Sequence, residues 1–169
     1  ILPIAHKQEN ILEKYRAQFW RSDYARIKLH QFFHHLNSSQ ALCINLFYPL
    51  IAEKKLDLFL RFLCIEPGVG LCARFEKESE KEVAIRRTSF DFYVQLATAN
   101  KIFVEVKYTE RGFAHAKDDD EHRAKFRKTY RPLVEKSLFL VRECQEVEFF
   151  LSHYQILRNL VHISDTDHV

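Results

Sequence analysis

The chain has 169 residues, of which 47% are hydrophobic and 14% are aromatic. This length supports one domain with a substantial core and is short for two, so a single domain over residues 1–169 is predicted. Three Gly and four Pro are too few for a collagen-like chain or a long low-complexity linker. The formal net charge of +3 permits an anionic partner such as nucleic acid without requiring one.

The cysteines indicate the redox surroundings. None has CxxC spacing and all stand in apolar stretches, so buried free thiols are predicted rather than a zinc site or disulfides. They are Cys43, Cys64, Cys72 and Cys144. A reducing cytoplasm fits this pattern. No apolar run reaches about 18 residues, and Ile1 does not open a secretory signal. The absence of Met indicates that the sequence is a fragment, or that modified methionines are missing from it.

The first 37 residues are predicted to form a helical arm. Apolar and aromatic side chains recur at helical spacing through residues 8–36, with a break at Ser22. A long helix over residues 39–64 should follow, capped by the polar residues before it and carrying a stripe of leucines. Pro49 is expected to kink or interrupt that helix.

The period of the pattern changes to two after Glu66-Pro67-Gly68, which is expected to end the helix. A half-buried strand is predicted from 69 to about 77, followed by a solvated charged run at 78–82. Two further strands are predicted at 84–96 and 101–108.

The remaining chain returns to helical periodicity. A helix is predicted at 118–136, a short strand at 137–141 and a closing helix at 147–161. The predicted class is therefore mixed α/β (α+β), with a helix, a three-stranded antiparallel meander and a second helix. Residues 38–141 form the core of this arrangement, and 142–169 hold the closing helix and tail.

The second and third strands can be paired by their side chains. If they form an antiparallel hairpin centred on Thr98, the numbers of opposed residues sum to 196. Every opposed pair on one face is then apolar: Phe90 with Val106, Phe92 with Val104, and Val94 with Ile102. That face is predicted to pack on the core.

The same register places Asp91 opposite Glu105 on the other face, with Cβ atoms about 5 Å apart. Lys107 follows two residues along the strand, about 6 to 7 Å away. Opposed carboxylates repel, so a divalent cation between them, Mg²⁺ or Mn²⁺, would explain the pair. An ammonium beside that cation can orient an attacking water and offset charge on a phosphate. The chemistry indicated is phosphodiester hydrolysis.

An acidic residue on one strand and Glu-x-Lys on the next, within a helix, three-strand, helix order, resemble the PD-(D/E)xK nuclease superfamily of restriction and repair endonucleases. The resemblance covers about residues 38–136. More narrowly, Ser38-Ser39-Gln40-Ala41 before an apolar helix, Phe-Asp on one strand and Glu-Val-Lys-Tyr-Thr-Glu on another resemble bacterial proteins described as restriction-endonuclease-like. Phe90 stands where the motif has its Pro. The superfamily's fourth strand has only 137–141, or a segment beyond this chain, as a candidate.

The resemblance implies a Mg²⁺-dependent deoxyribonuclease that cuts DNA, and it is compatible with a homodimer. Asp91 and Glu105 would bind the metal, and Lys107 would be the catalytic lysine. Superfamily members often recruit another carboxylate or amide from the first helix or strand. Glu76 is favoured for that ligand, while Gln40 could equally cap the helix.

Other residues near these elements could contact DNA phosphates. They are Arg123, Lys125, Arg127, Lys128 and Arg131 on the predicted helix, and His115 and Lys117 in the loop before it. Two other functions stay open: a nuclease fold without catalysis that binds nucleic acid or protein, and a nuclease that acts on RNA. His30 and His34 have the spacing of a helical metal pair but lack the carboxylate of His-Glu-x-x-His.

Overall fold

The computed structural model describes residues 1–66, 71–82, 87–98 and 100–163. It has the predicted mixed α/β class, with seven α-helices and a three-stranded antiparallel sheet in the described residues. The chain divides into two compact units. The sheet unit comprises Ile1–Lys77 and Phe90–Thr109, and the C-terminal unit comprises Glu78–Ser89 and Glu110–Val169. The predicted single domain stays a prediction.

The helices of the sheet unit are shorter than predicted. After a 3₁₀ segment at Ile4–Asn10, helix α1 spans Glu13–Arg21 and a second 3₁₀ segment spans Asp23–Ala25. Residues 26–38 then form irregular backbone and turns instead of a second helical piece. The side-chain amide of Asn10 helps to hold these turns, because it donates to the carbonyls of Phe33 (2.6 Å) and His35 (2.8 Å).

The predicted helix over 39–64 is two helices, α2 at Ser39–Ala52 and α3 at Leu56–Phe62. The Ser38 hydroxyl caps α2 as predicted, accepting from the Ala41 N–H at 3.2 Å. Pro49 lies inside α2 without ending it. The helix ends later, at Ala52, and Lys54 has a left-handed φ of 56°. Helix α3 ends before Pro67 and Gly68, which lie outside the described residues.

The three strands follow in sheet order β1-β2-β3, at Cys72–Glu78, Ser89–Gln95 and Lys101–Val104. Strands β2 and β3 are antiparallel in the predicted register, with Phe92 opposite Val104 and Val94 opposite Ile102. In β1, burial alternates as expected, since Ala73 and Phe75 are buried while Cys72 and Arg74 are exposed. Strand β3 ends four residues before the predicted boundary at 108.

Aromatic rings join helix α2 to this sheet. Phe47 of α2 stacks on Phe92 of β2, with centroids 4.1 Å apart and planes at 9°. Phe75 of β1 contacts Phe92 from the side at 5.1 Å. Phe90 departs from the predicted face: it is buried, but its ring lies 4.6 Å from Phe103, which is opposite Tyr93.

The C-terminal unit is helical. Helix α4 at Asp120–Lys125 continues through a π-helical turn at Phe126–Tyr130 into α5 at Arg131–Lys136. The predicted closing helix is present as α6 at Val147–Ser152 and α7 at Tyr154–Leu160. The buried core of this unit comes from both helical stretches and contains Phe126, Tyr130, Val134, Cys144, Phe150, Leu157 and Val161.

Two predictions in this unit are wrong. Residues 137–141 form no strand, and Leu138, Phe139 and Val141 are exposed. The run at 78–82 is not uniformly solvated either, because Ser79 and Glu82 are buried. Glu82 receives a bond from the Thr88 N–H (3.0 Å), and it pairs with His162 Nε2 at 2.9 Å. Internal hydrogen bonds therefore replace solvent around this carboxylate.

All four cysteines are free, as predicted, but only Cys43 and Cys144 are buried, while Cys64 and Cys72 are exposed. Across the described ranges, none of the helices combines the length and apolar character needed to cross a membrane.

Candidate active site

Asp91 and the segment after β3 come together through the backbone. Because β3 ends at Val104, the N–H of Val106 lies outside the described ladder and donates to Asp91 Oδ2 at 2.7 Å. This bond places the residue between Glu105 and Lys107 directly against the Asp91 carboxylate. Asp91 therefore lies next to the segment that carries Glu105, as predicted. The contact is a hydrogen bond to the Asp91 side chain and not a strand-to-strand backbone bond.

Glu105 and Lys107 form an ion pair. Lys107 Nζ lies 2.9 Å from Glu105 Oε1, and the two side chains are only 25% and 17% exposed. Partial removal from solvent strengthens this interaction compared with a surface pair. The ammonium is thus held beside the carboxylate pair, where the sequence placed it.

Glu76 and Gln40 form a second part of the site. Gln40 Nε2 donates to Glu76 Oε1 at 2.7 Å and to the Lys28 carbonyl at 3.1 Å, while its Oε1 accepts from the His30 N–H at 2.8 Å. Gln40 is therefore buried as a bridge between α2, β1 and the turns before α2, and the helix cap is Ser38. Glu76 itself has a left-handed φ of 50°.

The charges of three carboxylates meet in this region. Burial and the charge of Glu105 raise the pKa of Asp91 to about 7, against its usual 3.8, although the Val106 N–H opposes the shift. Burial, followed by the charges of Asp91, Glu76 and Glu105, also raises the pKa of the Cys43 thiol well above its usual value. All three carboxylates therefore lie within electrostatic range of one thiol in the middle of α2.

The raised pKa of Asp91 predicts how the free energy of unfolding depends on pH. Because the folded pKa exceeds the unfolded one, the folded protein binds this proton more tightly, and the resulting stabilisation is present below pH 4 and lost as pH rises through 7. One pKa unit corresponds to about 1.4 kcal/mol, so the rise from 3.8 to about 7 gives a loss on the order of 4 kcal/mol. We expect Asp91→Asn, whose side-chain oxygen can still accept from Val106, to reduce this loss.

Denaturant unfolding in EDTA gives the free energy of unfolding at each pH from 5 to 8. The effect of Asp91 is the difference between the pH profiles of the variant and the wild type. Asp23→Asn, which changes an exposed carboxylate of the same unit, is the matched control and should follow the wild type. Parallel pH profiles for the wild type and Asp91→Asn would contradict the assignment.

The residues present fit a hard divalent cation. Mg²⁺ is commonly bound by one or two carboxylates, with waters and substrate phosphates in its other positions, and Asp91 and Glu105 supply such a pair. Across the described residues, no three or more His, Cys, Asp or Glu side chains stand as a ready metal-binding group. Glu76 is bonded to Gln40 and Glu105 to Lys107 as the side chains lie here. The predicted ligand set stays a prediction.

The basic residues proposed to meet DNA phosphates belong to the C-terminal unit, and some are already paired within it. Arg123 binds Asp118 (2.5 and 2.8 Å) and Glu148 (2.7 Å). Arg131 pairs with Glu135, and Lys125 donates to the Tyr154 hydroxyl. Arg127 and Lys128 are exposed. His115 bonds the Ser152 carbonyl, and Lys117 is exposed.

Two contributors to the site carried no clear sequence signal. One is the backbone N–H of Val106, because the apolar side chain of this residue predicts only a place in the core. The bridging role of Gln40 depends on turns at 26–38 that were expected to be helical. The one available signal was the position of Gln40 at the start of an apolar helix, because a Gln that becomes buried there needs hydrogen-bond partners.

The mixed α/β fold, with Asp91 on β2 and Glu105 and Lys107 just after β3, agrees with the restriction-endonuclease-like class that a family comparison identifies. A family model described as "Restriction Endonuclease associating with ARP" matches residues 1–168, so the chain belongs to this family. The predicted resemblance to restriction-endonuclease-like proteins is confirmed, and the family implies association with nucleic acid. No curated protein gave a significant match, and no solved structure did.

Proposed function

We propose that the protein is a Mg²⁺-dependent endonuclease that hydrolyses DNA phosphodiester bonds. The observation that carries this proposal is the convergence of Asp91, Glu105 and Lys107, through the Val106 bond to Asp91 (2.7 Å) and the Lys107 bond to Glu105 (2.9 Å). Membership of a restriction endonuclease family supports the same reaction class. Mn²⁺ has the same preference for oxygen ligands and could replace Mg²⁺.

In this mechanism Asp91 and Glu105 would hold the cation, and Glu76 would be a further ligand if it left Gln40. When bound, Mg²⁺ would polarise the scissile phosphate and make water a better nucleophile at neutral pH. Asp91 must be ionised to act, so its raised pKa of about 7 favours activity at neutral to basic pH. Lys107, fixed by Glu105, would orient the attacking water and offset the negative charge that grows on the phosphate.

A comparison of metal binding with cleavage tests the separate roles of Glu105 and Lys107. We expect Lys107→Met to lower Mg²⁺-dependent DNA cleavage by about 100-fold or more, while calorimetry shows Mn²⁺ binding as tight as in the wild type or tighter. Removal of the ammonium releases Glu105 from its ion pair. Glu105→Gln should lose both cleavage and Mn²⁺ binding.

Lys7→Met, which changes an exposed lysine of the same unit, is the matched control. Lys107→Met that cleaves DNA normally would overturn the proposed role of the lysine. A wild-type protein that neither binds Mn²⁺ nor cleaves would favour a nuclease fold that only binds nucleic acid or protein. Parallel assays on RNA of the same sequence decide the substrate class.

A further inference from the structure

An exposed group of aromatic rings lies on the turns before helix α2. Phe32 is 48% exposed and stands between two histidines, with ring centroids 5.4 Å from His30 and 5.0 Å from His35. His34 contacts His35 at 4.5 Å, and Leu36 beside them is also exposed. We call residues 30–37 the histidine loop. His30, Phe32 and Leu36 are exposed, whereas His34 and His35 are half-buried, and contiguous exposed apolar patches often mark binding sites.

The histidine loop is held firmly although it is not helical. The side chain of Asn10 donates to the carbonyls of Phe33 and His35, and the Leu2 N–H donates to the His34 carbonyl at 3.0 Å. The ring of Phe33 is buried in the core below. Phe32 is therefore presented by a fixed backbone, so little conformational entropy would be lost when it meets a ligand.

Two side-chain amides, those of Gln40 and Asn37, tie this loop to the candidate active site. At its start, Gln40 joins the His30 N–H (2.8 Å) to Glu76 (2.7 Å), so one amide group separates the loop from an acidic residue of the cluster. At its end, Asn37 donates to the Thr109 hydroxyl at 3.1 Å, and Thr109 is two residues after Lys107. Both ends of the loop therefore border the segments that carry the carboxylates and the lysine.

We propose that Phe32, with His30 and His35, forms a stacking surface for an unpaired base of the DNA strand that enters the site. Aromatic rings bind bases of single strands by stacking, whatever the base. In a perfect duplex both faces of each base are covered by its neighbours, so an exposed ring gains this contact only where bases are unpaired or flipped out. The exposed side chain of Lys28 can contact the backbone phosphates next to such a base.

His35 suits this role because its uncharged form is favoured. Burial and the neighbouring charge of His34, the N-terminal amine and His30 lower the pKa of His35 below its usual value. This inference rests on the proposed nuclease function and adds a substrate class to it: DNA with unpaired bases near the cleaved bond, such as single-stranded, gapped or mismatched DNA.

The test is binding of fluorescein-labelled DNA in EDTA, which prevents cleavage, with a single-stranded oligonucleotide and the fully paired duplex of the same sequence. We expect Phe32→Leu to weaken binding of the single strand about tenfold and to leave duplex binding within about twofold. Phe32→Trp should restore single-strand binding, because it returns a ring. Phe62→Leu, at a Phe of the same unit that is 82% exposed, is the matched control.

Equal single-strand binding by Phe32→Leu and the wild type would overturn the stacking surface, and so would an equal loss for both DNAs. The outcome is separate from that of the proposed function. A protein that binds single strands through Phe32 but never cleaves refutes the nuclease and keeps the stacking surface. A Phe32→Leu protein that cleaves single-stranded DNA as well as the wild type refutes the stacking surface and keeps the nuclease.

Discussion

Asp91→Asn is expected to abolish Mg²⁺-dependent DNA cleavage, with a loss of at least about 100-fold. The substitution removes one of the two carboxylates proposed to bind the cation, and an amide cannot supply the negative charge that a divalent cation needs. The Asn oxygen can still accept the Val106 N–H, which Asp91 now binds at 2.7 Å. The local backbone should therefore stay in place, and the loss belongs to chemistry and not to folding.

The measurement is cleavage of supercoiled plasmid and of single-stranded DNA at pH 8, alongside denaturant unfolding of the same samples. Asp91→Asn should be inactive and at least as stable as the wild type, because it removes a carboxylate whose ionisation is opposed by Glu105. Asp91→Ala is expected to be inactive too, but it loses the Val106 bond. An active Asp91→Asn protein would move the metal site away from this carboxylate.

Glu82→Ala is expected to destabilise the protein by about 3 kcal/mol or more, since it breaks a buried polar network and strands its partners. Glu82 is 1% exposed. Although burial alone would raise its pKa, bonds from His162 and Thr88 hold the pKa below its usual value. His162 is also 3.0 Å from the Ser79 hydroxyl through Nδ1. Loss of the carboxylate leaves His162 and Thr88 without this acceptor.

Glu82→Gln should cost much less, because an amide can still bond both partners. Glu80→Ala, at an exposed position in the same run, should be nearly neutral. Far-UV circular dichroism follows the helices of both units, whereas fluorescence of Trp20, the single Trp of the sequence, follows the sheet unit. A Glu82→Ala protein as stable as Glu80→Ala would show that this network contributes nothing to the fold.

The central hairpin was predictable because its apolar residues alternate on both strands, and a slip of one residue would turn Phe92 and Val94 towards solvent. The predicted pairs Phe92–Val104 and Val94–Ile102 are confirmed. The early end of β3 and the hydrogen bond from the Val106 N–H to Asp91 leave no mark in that alternation, so neither could be predicted. The contact of Phe90 with Phe103 is equally absent from the pattern.

The buried network of Glu82 shows another limit. A run such as Glu78 to Glu82 reads as solvated because charged side chains are seldom buried without a partner. The partner here is His162, which lies 80 positions further along the chain, and no local pattern reveals so distant a pair. For the same reason the sequence placed Gln40 at a helix start but could not show that it joins Glu76 to the turns before α2.

The N-terminal arm is an integral part of the sheet unit. Asn45 of α2 accepts from the Leu12 N–H and donates to the Asn10 carbonyl, both at 2.9 Å. Phe19 and Phe33 of the arm are fully enclosed in the same core as Phe92. A replacement of this arm would therefore leave a void in the core unless the new segment filled the volume that these two rings occupy.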